Sequence, residues 1–200
     1  MLRIIALSTL VVFANAAGII NFDGIKAELA SPGSPNQYGP PGSSLNMPGA
    51  ASSRFGAFET EALRAHNTYR AMHGAAPLRL NQELCNVAQN WANYLAQRGS
   101  MVHSQTQHGE NLYWTSANSV PSGATAVDAW YSEVEDYFSW FGTGPTGHFT
   151  QVVWKGTREM GIAQSRGRNG VYVVANYSPP GNMQGEYDEN VGPIQRISSF

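Results

Sequence analysis

The stretch Gly147-His148-Phe149-Thr150-Gln151-Val152-Val153-Trp154-Lys155-Gly156-Thr157 is the most informative part of this chain. It follows two shorter segments, Gly109-Glu110-Asn111-Leu112-Tyr113 and Trp130-Tyr131-Ser132-Glu133. With His103, these segments supply two histidines and two glutamates in a chain of which only 13% of the residues are charged. Imidazoles beside carboxylates are typical of a divalent-metal site or of an acid/base pair.

The overall composition excludes some classes of partner. The chain has 200 residues and a formal net charge of −2, which indicates one domain of ordinary size. Its Lys and Arg residues do not cluster in the sequence, so neither nucleic acid nor electrostatic capture by an anionic membrane is expected.

The N-terminal quarter of the chain has the composition of a secretory leader and a spacer. Residues 1–17 combine Arg3, an apolar stretch from Ile4 to Phe13 and small residues around Ala16, which predicts a signal peptide. Residues 18–53 are rich in Pro, Gly and Ser and predict a disordered linker. The folded domain is therefore expected over residues 54–200, in a secreted, extracellular protein.

Periodicity predicts helices followed by a hairpin. Apolar spacing and capping residues favour helices over residues 60–73, between Asn81 and Gly99, and over residues 125–138. Strands are predicted over residues 160–164 and 171–177, on either side of the turn at Asn169-Gly170. Helices and strands without βαβ alternation indicate an α+β fold with an antiparallel sheet.

These segments resemble the CAP superfamily of cysteine-rich secretory, antigen 5 and pathogenesis-related proteins, also called the SCP domain. Gly147 to Thr157 is similar to the first family signature and Val173 to Met183 to the second. His66-Asn67-Thr68-Tyr69-Arg70 resembles the start of the first family helix, and the matches extend over residues 58 to 185 in the expected order. The resemblance implies a three-layer α-β-α sandwich with a central antiparallel sheet and a central cleft.

The cysteine content indicates the branch within the family. Ala175 stands where the second signature normally has a cysteine, and Cys85 is the only cysteine of the chain. This resembles the disulfide-free branch of the Golgi-associated plant pathogenesis-related proteins. That branch lacks a signal peptide, whereas this chain begins with a predicted one.

The resemblance also implies a tetrad formed by His103, Glu110, Glu133 and His148. His103 is preferred to His108 because it lies at the family's spacing before Gly-Glu-Asn. The implied metal ligands are His103 and His148, with Glu110 and Glu133 as supporting groups. Zinc or another divalent cation is the expected cofactor, although none is expected to be essential.

The residue types alone leave three roles open for this tetrad. It could bind a metal, with each glutamate holding one imidazole in a fixed tautomer. It could be structural, with the four groups fixing the loops that carry them. It could also be catalytic, with a Glu or His acting as a base through water. The chain contains neither a Gly-x-Ser-x-Gly elbow for Ser104 nor a His-Glu-x-x-His helix.

A second candidate site is the aromatic run Tyr137, Phe138, Trp140 and Phe141. These side chains are too dense for one helix face, so they could form a lip for an apolar ligand or membrane. Packing into the core is the alternative.

The expected function is a secreted, non-enzymatic domain that binds a lipid or engages membrane in defence or signalling. The candidate partners are a sterol, a fatty acid, a membrane lipid, an extracellular protein, or a second copy of the chain in a homodimer. The alternatives are a metal-dependent hydrolase, such as a protease, and a pure protein-interaction module.

Overall fold

The computed structural model describes residues 54–116, 120–138 and 146–195. The predicted signal peptide (1–17) and linker (18–53), and the lip candidates Trp140 and Phe141, lie outside these described residues. In the described part of the chain, no helix is both long enough and apolar enough to span a membrane.

Six helices and four strands are described, in mixed order. The helices are α1 (Ala57–Met72), α2 (Gln82–Arg98), α3 (Gly123–Tyr131), α4 (Val134–Tyr137), α5 (Gly147–Val153) and α6 (Tyr187–Asn190). The strands are β1 (Arg79–Leu80), β2 (Gly109–Thr115), β3 (Glu159–Gly167) and β4 (Gly170–Ser178).

The strands form one sheet in the order β1-β3-β4-β2. The pairs β3/β4 and β4/β2 are antiparallel, as predicted. At one edge the sheet is not antiparallel as predicted, because the two-residue strand β1 runs parallel to β3. The chain reaches this edge directly from α1, and the side chain of Asn81 caps α2 immediately afterwards. Strand β1 is therefore too short to continue into a hairpin with a neighbouring antiparallel strand.

Helices cover both faces of the sheet, which confirms the expected α+β sandwich. One face packs against α2 through a cluster that includes Ala88, Leu95 and Val174. The other face packs against α1, α3 and α5 through a larger cluster that includes Trp130, Phe149 and Ile162. All of β4 except Ser178 is buried, as expected for a central strand with helices on both sides.

The helix predicted over residues 125–138 is wrong in its continuity. Ser122 caps α3, which ends at Tyr131, and a separate short helix α4 begins at Val134. The break falls at Glu133, whose carboxylate accepts hydrogen bonds from the backbone N–H groups of His148 and Phe149 in α5. The tertiary contact made by Glu133 therefore coincides with the interruption of an otherwise helical pattern.

Candidate functional site

The first half of the candidate site is the pair His103 and Glu110. Nδ1 of His103 lies 2.8 Å from Oε1 of Glu110, which also accepts a 2.9 Å hydrogen bond from the backbone N–H of Ser104. The hydroxyl of Ser104 donates to Oε2 of Glu110. The His103 side chain is 64% exposed and that of Glu110 only 6% exposed. A buried carboxylate on β2 thus fixes an exposed imidazole and its loop, and His103 rather than His108 makes this contact.

The second half is the pair Glu133 and His148. Nδ1 of His148 lies 2.7 Å from Oε1 of Glu133. Oε2 of Glu133 accepts hydrogen bonds of 3.0 and 3.1 Å from the backbone N–H groups of His148 and Phe149. Thr146, at the N-cap of α5, makes no side-chain cap. Glu133 therefore both caps α5 and orients the imidazole that α5 carries.

Strand β2 links the two pairs. Glu110 and Asn111 are neighbours on β2, so their side chains point to opposite faces of the sheet. The amide of Asn111 donates to the backbone carbonyl of His148 at 3.1 Å and to the hydroxyl of Tyr177 at 3.3 Å. Trp130, whose indole N–H donates to Leu112 of the same strand, lies beside the His148 ring at a centroid distance of 6.4 Å.

Both pairs leave the same imidazole nitrogen available. When Nδ1 donates its proton to a carboxylate, Nε2 of the neutral ring is an unprotonated acceptor, the form that binds metals. Neither Nε2 hydrogen-bonds to a described residue. Within residues 54–116, 120–138 and 146–195, however, no three His, Cys, Asp or Glu side chains form a metal-binding group. Two imidazoles are fewer than the four protein ligands of a closed structural zinc centre, so the two pairs do not form a centre of that kind.

The first pair is electrostatically coupled. The hydrogen bond to Glu110 raises the pKa of His103, against a smaller opposing effect of burial. Burial acts to raise the pKa of Glu110, but hydrogen bonds from His103 and from both donors of Ser104 outweigh it, so its pKa is lowered. A lowered pKa makes Glu110 a weaker proton acceptor, so this carboxylate is better suited to orienting His103 than to acting as a general base.

A buried arginine for which the sequence predicted no role anchors the other end of α5. Arg70 is fully buried, and its guanidinium donates to the carbonyls of Val152 and Trp154 at 3.0 and 2.8 Å. It donates as well to the carbonyls of Ala76 and Thr157. A cation at a helix C-terminus is favoured by the helix dipole. The signals in the sequence were its place in the segment His66 to Arg70 and its position four residues after His66, which puts both on one face of α1.

A chain of buried hydrogen bonds inside the core joins α1 to β2 and α5. His66 is fully buried; its Nδ1 donates to the carbonyl of Ala62, and its Nε2 accepts from the hydroxyl of Tyr177, both at 2.8 Å. The same hydroxyl accepts from Asn111. Burial lowers the pKa of His66 to about 4, with a smaller contribution from Arg70 in the same direction. His66 is thus a neutral structural histidine and not a ligand.

The described part of the aromatic run divides between core and surface. Tyr137 is partly buried and packs against the core cluster that contains Phe149. Phe138 is 48% exposed, and its ring lies 6.2 Å from the ring of His73 and 5.0 Å from that of Tyr137. Of the two described lip candidates, only Phe138 therefore presents an apolar surface to solvent.

Comparison with known proteins gives one family. Residues 63–177 match CAP, the cysteine-rich secretory protein family. Golgi-associated plant pathogenesis-related protein 1 of Homo sapiens is 42% identical over 148 residues, which cover 70% of this chain and 95% of the human protein. The secreted protein RBT4 of Candida albicans is 38% identical over 134 residues, covering 64% of this chain but only 36% of that protein.

The fold also matches a solved structure. The crystal structure of NaASP2 with Zn2+ has a TM-score of 0.52 and 24% sequence identity, and the match covers 69% of this chain and 84% of that one. At this level of identity the match establishes a shared fold.

Proposed function

Because this chain belongs to the cysteine-rich secretory protein (CAP) family, we propose that it is a secreted, non-enzymatic binding protein with two ligand sites. The first is a divalent-cation site formed by His103 and His148. The second is an apolar-ligand or membrane lip that includes Phe138. Secretion is supported by the leader-like residues 1–17 and by the secreted fungal relative.

The observation that carries the non-enzymatic assignment is the use of both carboxylates. Glu110 accepts from His103 and twice from Ser104, and Glu133 accepts from one imidazole and two backbone N–H groups. A carboxylate engaged in this way is poorly placed to take a proton from an attacking water. The hydroxyl of Ser104 donates to Glu110 and not to an imidazole, so Ser104 does not form the Ser–His pair that activates the nucleophile of most serine hydrolases.

The cation site is supported by the hydrogen bonds at both Nδ1 atoms, which leave Nε2 of each ring as the position that can bind a metal. The bound cation would be held by the Nε2 atoms, with Glu110 and Glu133 fixing the ring positions. Zinc suits imidazole ligands, and NaASP2, which shares the fold, was crystallised with Zn2+. A two-imidazole set predicts weak binding, because structural zinc sites use four protein ligands.

The test is a calorimetric titration of zinc into the chelator-treated protein. Binding should be lost in the double variant His103→Ala/His148→Ala and retained in His108→Ala, which removes a nearby imidazole outside the two pairs. Equal binding by the double variant, or none by the parent protein, would overturn the cation site. Turnover of peptide substrates that a chelator abolishes and that His148→Ala removes would instead support the hydrolase alternative.

The lip is supported by the exposure of Phe138, which places an aromatic face in solvent beside the core. Cholesterol and palmitate are suitable probes, since both are apolar ligands that an exposed aromatic surface can cover. Phe138→Ser should weaken binding of one or both. Val120→Ser, at another exposed apolar residue (54% exposed), is the matched control. Equal binding by the two variants would refute a role for this lip.

A further inference from the structure

A shallow concavity of about 960 Å³ lies between the C-terminal end of α2 and the β3–β4 hairpin, and none of its lining residues belongs to the two His–Glu pairs. Residues that are distant in the sequence meet there, so the sequence alone shows no cluster. Its polar lining consists of one serine, three arginines and three amides: Ser165, Arg98, Arg166, Arg168, Asn93, Gln97 and Asn169. We refer to this concavity as the arginine groove.

The arginine groove is positively charged, although the chain as a whole has a net charge of −2. Neither residues 84–109, which include most of α2, nor residues 160–185, which include the hairpin, contain an Asp or Glu. Residues 111–127, which include most of β2, contain none either. The acidic residues of the chain thus lie in other segments, and the field at this end of the sandwich favours anions.

One arginine of the groove is held in place before any ligand arrives. Nε of Arg98 donates to the hydroxyl of Ser100 at 3.0 Å, and Nη1 donates to the hydroxyl of Tyr94 at 2.9 Å. These bonds leave guanidinium N–H groups for an oxyanion, in the planar arrangement that favours two-point contacts. Tyr94 in turn stacks on Trp91 at a centroid distance of 4.6 Å, which gives an aromatic surface beside the groove.

The two walls of the groove, α2 and the β3–β4 hairpin, are joined by a hydrogen bond. The amide of Asn169 donates to the carbonyl of Gly99, and its Oδ1 accepts from the hydroxyl of Tyr172 at 2.8 Å. Gly99 ends α2, and its N–H binds the carbonyl of Leu95. Two carbonyls at this helix end are therefore satisfied within the protein, which reduces the repulsion that a helix C-terminus exerts on an anion.

We propose that the arginine groove is a binding site for a sulfated oligosaccharide. Arg98 and Arg168 would bind the sulfate groups, the amides of Asn93 and Gln97 would bind ring hydroxyls, and the Trp91–Tyr94 stack would pack against a sugar face. The polar residues of the lining are a serine, amides and arginines instead of the apolar side chains that insert into a bilayer. The assignment is independent of the cation site and of the Phe138 lip.

The test compares two double variants that remove the same charge. A heparin-derived octasaccharide is titrated into the full protein, into Arg98→Gln/Arg168→Gln and into Arg64→Gln/Arg79→Gln. All four arginines are exposed, so each variant should fold. The groove variant should bind about tenfold more weakly or worse, and the slope of log Kd against log salt concentration should fall by about one for each arginine–sulfate pair that is removed. The control variant should bind as the parent protein does.

Several results would overturn the proposal. An equal loss of affinity in both double variants would show that only net charge matters. Equal affinity for the desulfated octasaccharide would remove the role of the arginines. Groove-dependent binding of phosphatidylserine vesicles without binding of the octasaccharide would assign the groove to a membrane surface. Zinc binding should be unchanged in the groove variant, so failure here is distinguishable from failure of the cation site.

Discussion

Replacing Glu133 is the perturbation that most directly tests how the second pair is built. Its carboxylate accepts hydrogen bonds at 3.0 and 3.1 Å from two N–H groups of α5 and at 2.7 Å from Nδ1 of His148. Losing a helix cap costs about 1 kcal/mol, and each charge-assisted hydrogen bond contributes about 1.5–3 kcal/mol in its own right. Because the Glu133 side chain is only 16% exposed, water can replace the lost hydrogen bonds only in part. We therefore expect Glu133→Ala to lower the free energy of unfolding by about 2–4 kcal/mol.

Urea unfolding followed by circular dichroism measures this loss directly. Glu133→Gln retains one acceptor oxygen but loses the charge, so it should lose about half as much free energy as Glu133→Ala. Glu135→Ala is the matched control, because Glu135 is an exposed carboxylate two residues away, and surface substitutions usually stay within about 0.5 kcal/mol. If Glu133→Ala and Glu135→Ala were equally stable, Glu133 would not be the cap of α5.

Two further predictions concern the buried groups that hold the site in place. Arg70→Met should lower the free energy of unfolding by about 3–5 kcal/mol, since four backbone carbonyls lose their donor in the core; Arg64→Met, at an exposed position of the same helix, should change it little, and urea unfolding of both variants checks this. Burial lowers the pKa of His66 to about 4, whereas a histidine in the unfolded chain titrates near 6.5. Between these two pH values the unfolded state binds a proton that the folded state does not. The free energy of unfolding should therefore fall by up to about 3 kcal/mol as the pH drops from about 6.5 to about 4. His103, whose pKa is raised, acts in the opposite direction by stabilising the fold at low pH. The parent protein is therefore compared with His66→Gln, which removes only the His66 contribution. If the free energy of unfolding depended on pH in the same way in both proteins, the assignment to His66 would be contradicted.

The parts of the fold that could be predicted from the sequence are those that local patterns determine. The helix from Gln82 to Arg98 begins at the Asn81 cap and ends at Gly99, as the apolar spacing and the capping residues indicated. The hairpin turns at Arg168 and Asn169, next to the Asn-Gly signal. The overall fold could be predicted because several family motifs occur in the expected order along the chain.

The parts that could not be predicted depend on distant contacts. The break before Val134 depends on α5, which begins only at Gly147, so no local signal marks it. The parallel strand β1 is two residues long and has no periodicity to detect. The arginine groove joins Arg98 to Arg166 and Arg168 through the packing of α2 against the hairpin, which only the tertiary structure provides.

Helix α5 explains why the candidate site and the stability of the fold are connected. It has seven residues, which is too short to be stable alone in water. Its position is therefore set from outside, by Glu133 at its N-terminus and by Arg70 at its C-terminus. The position of the His148 imidazole depends on the same contacts, because the backbone N–H and the Nδ1 of His148 both bind Glu133. Substitutions that loosen either end should then move Nε2 of His148 before they unfold the domain, so zinc affinity should respond to Glu133→Gln even where the global stability loss is modest.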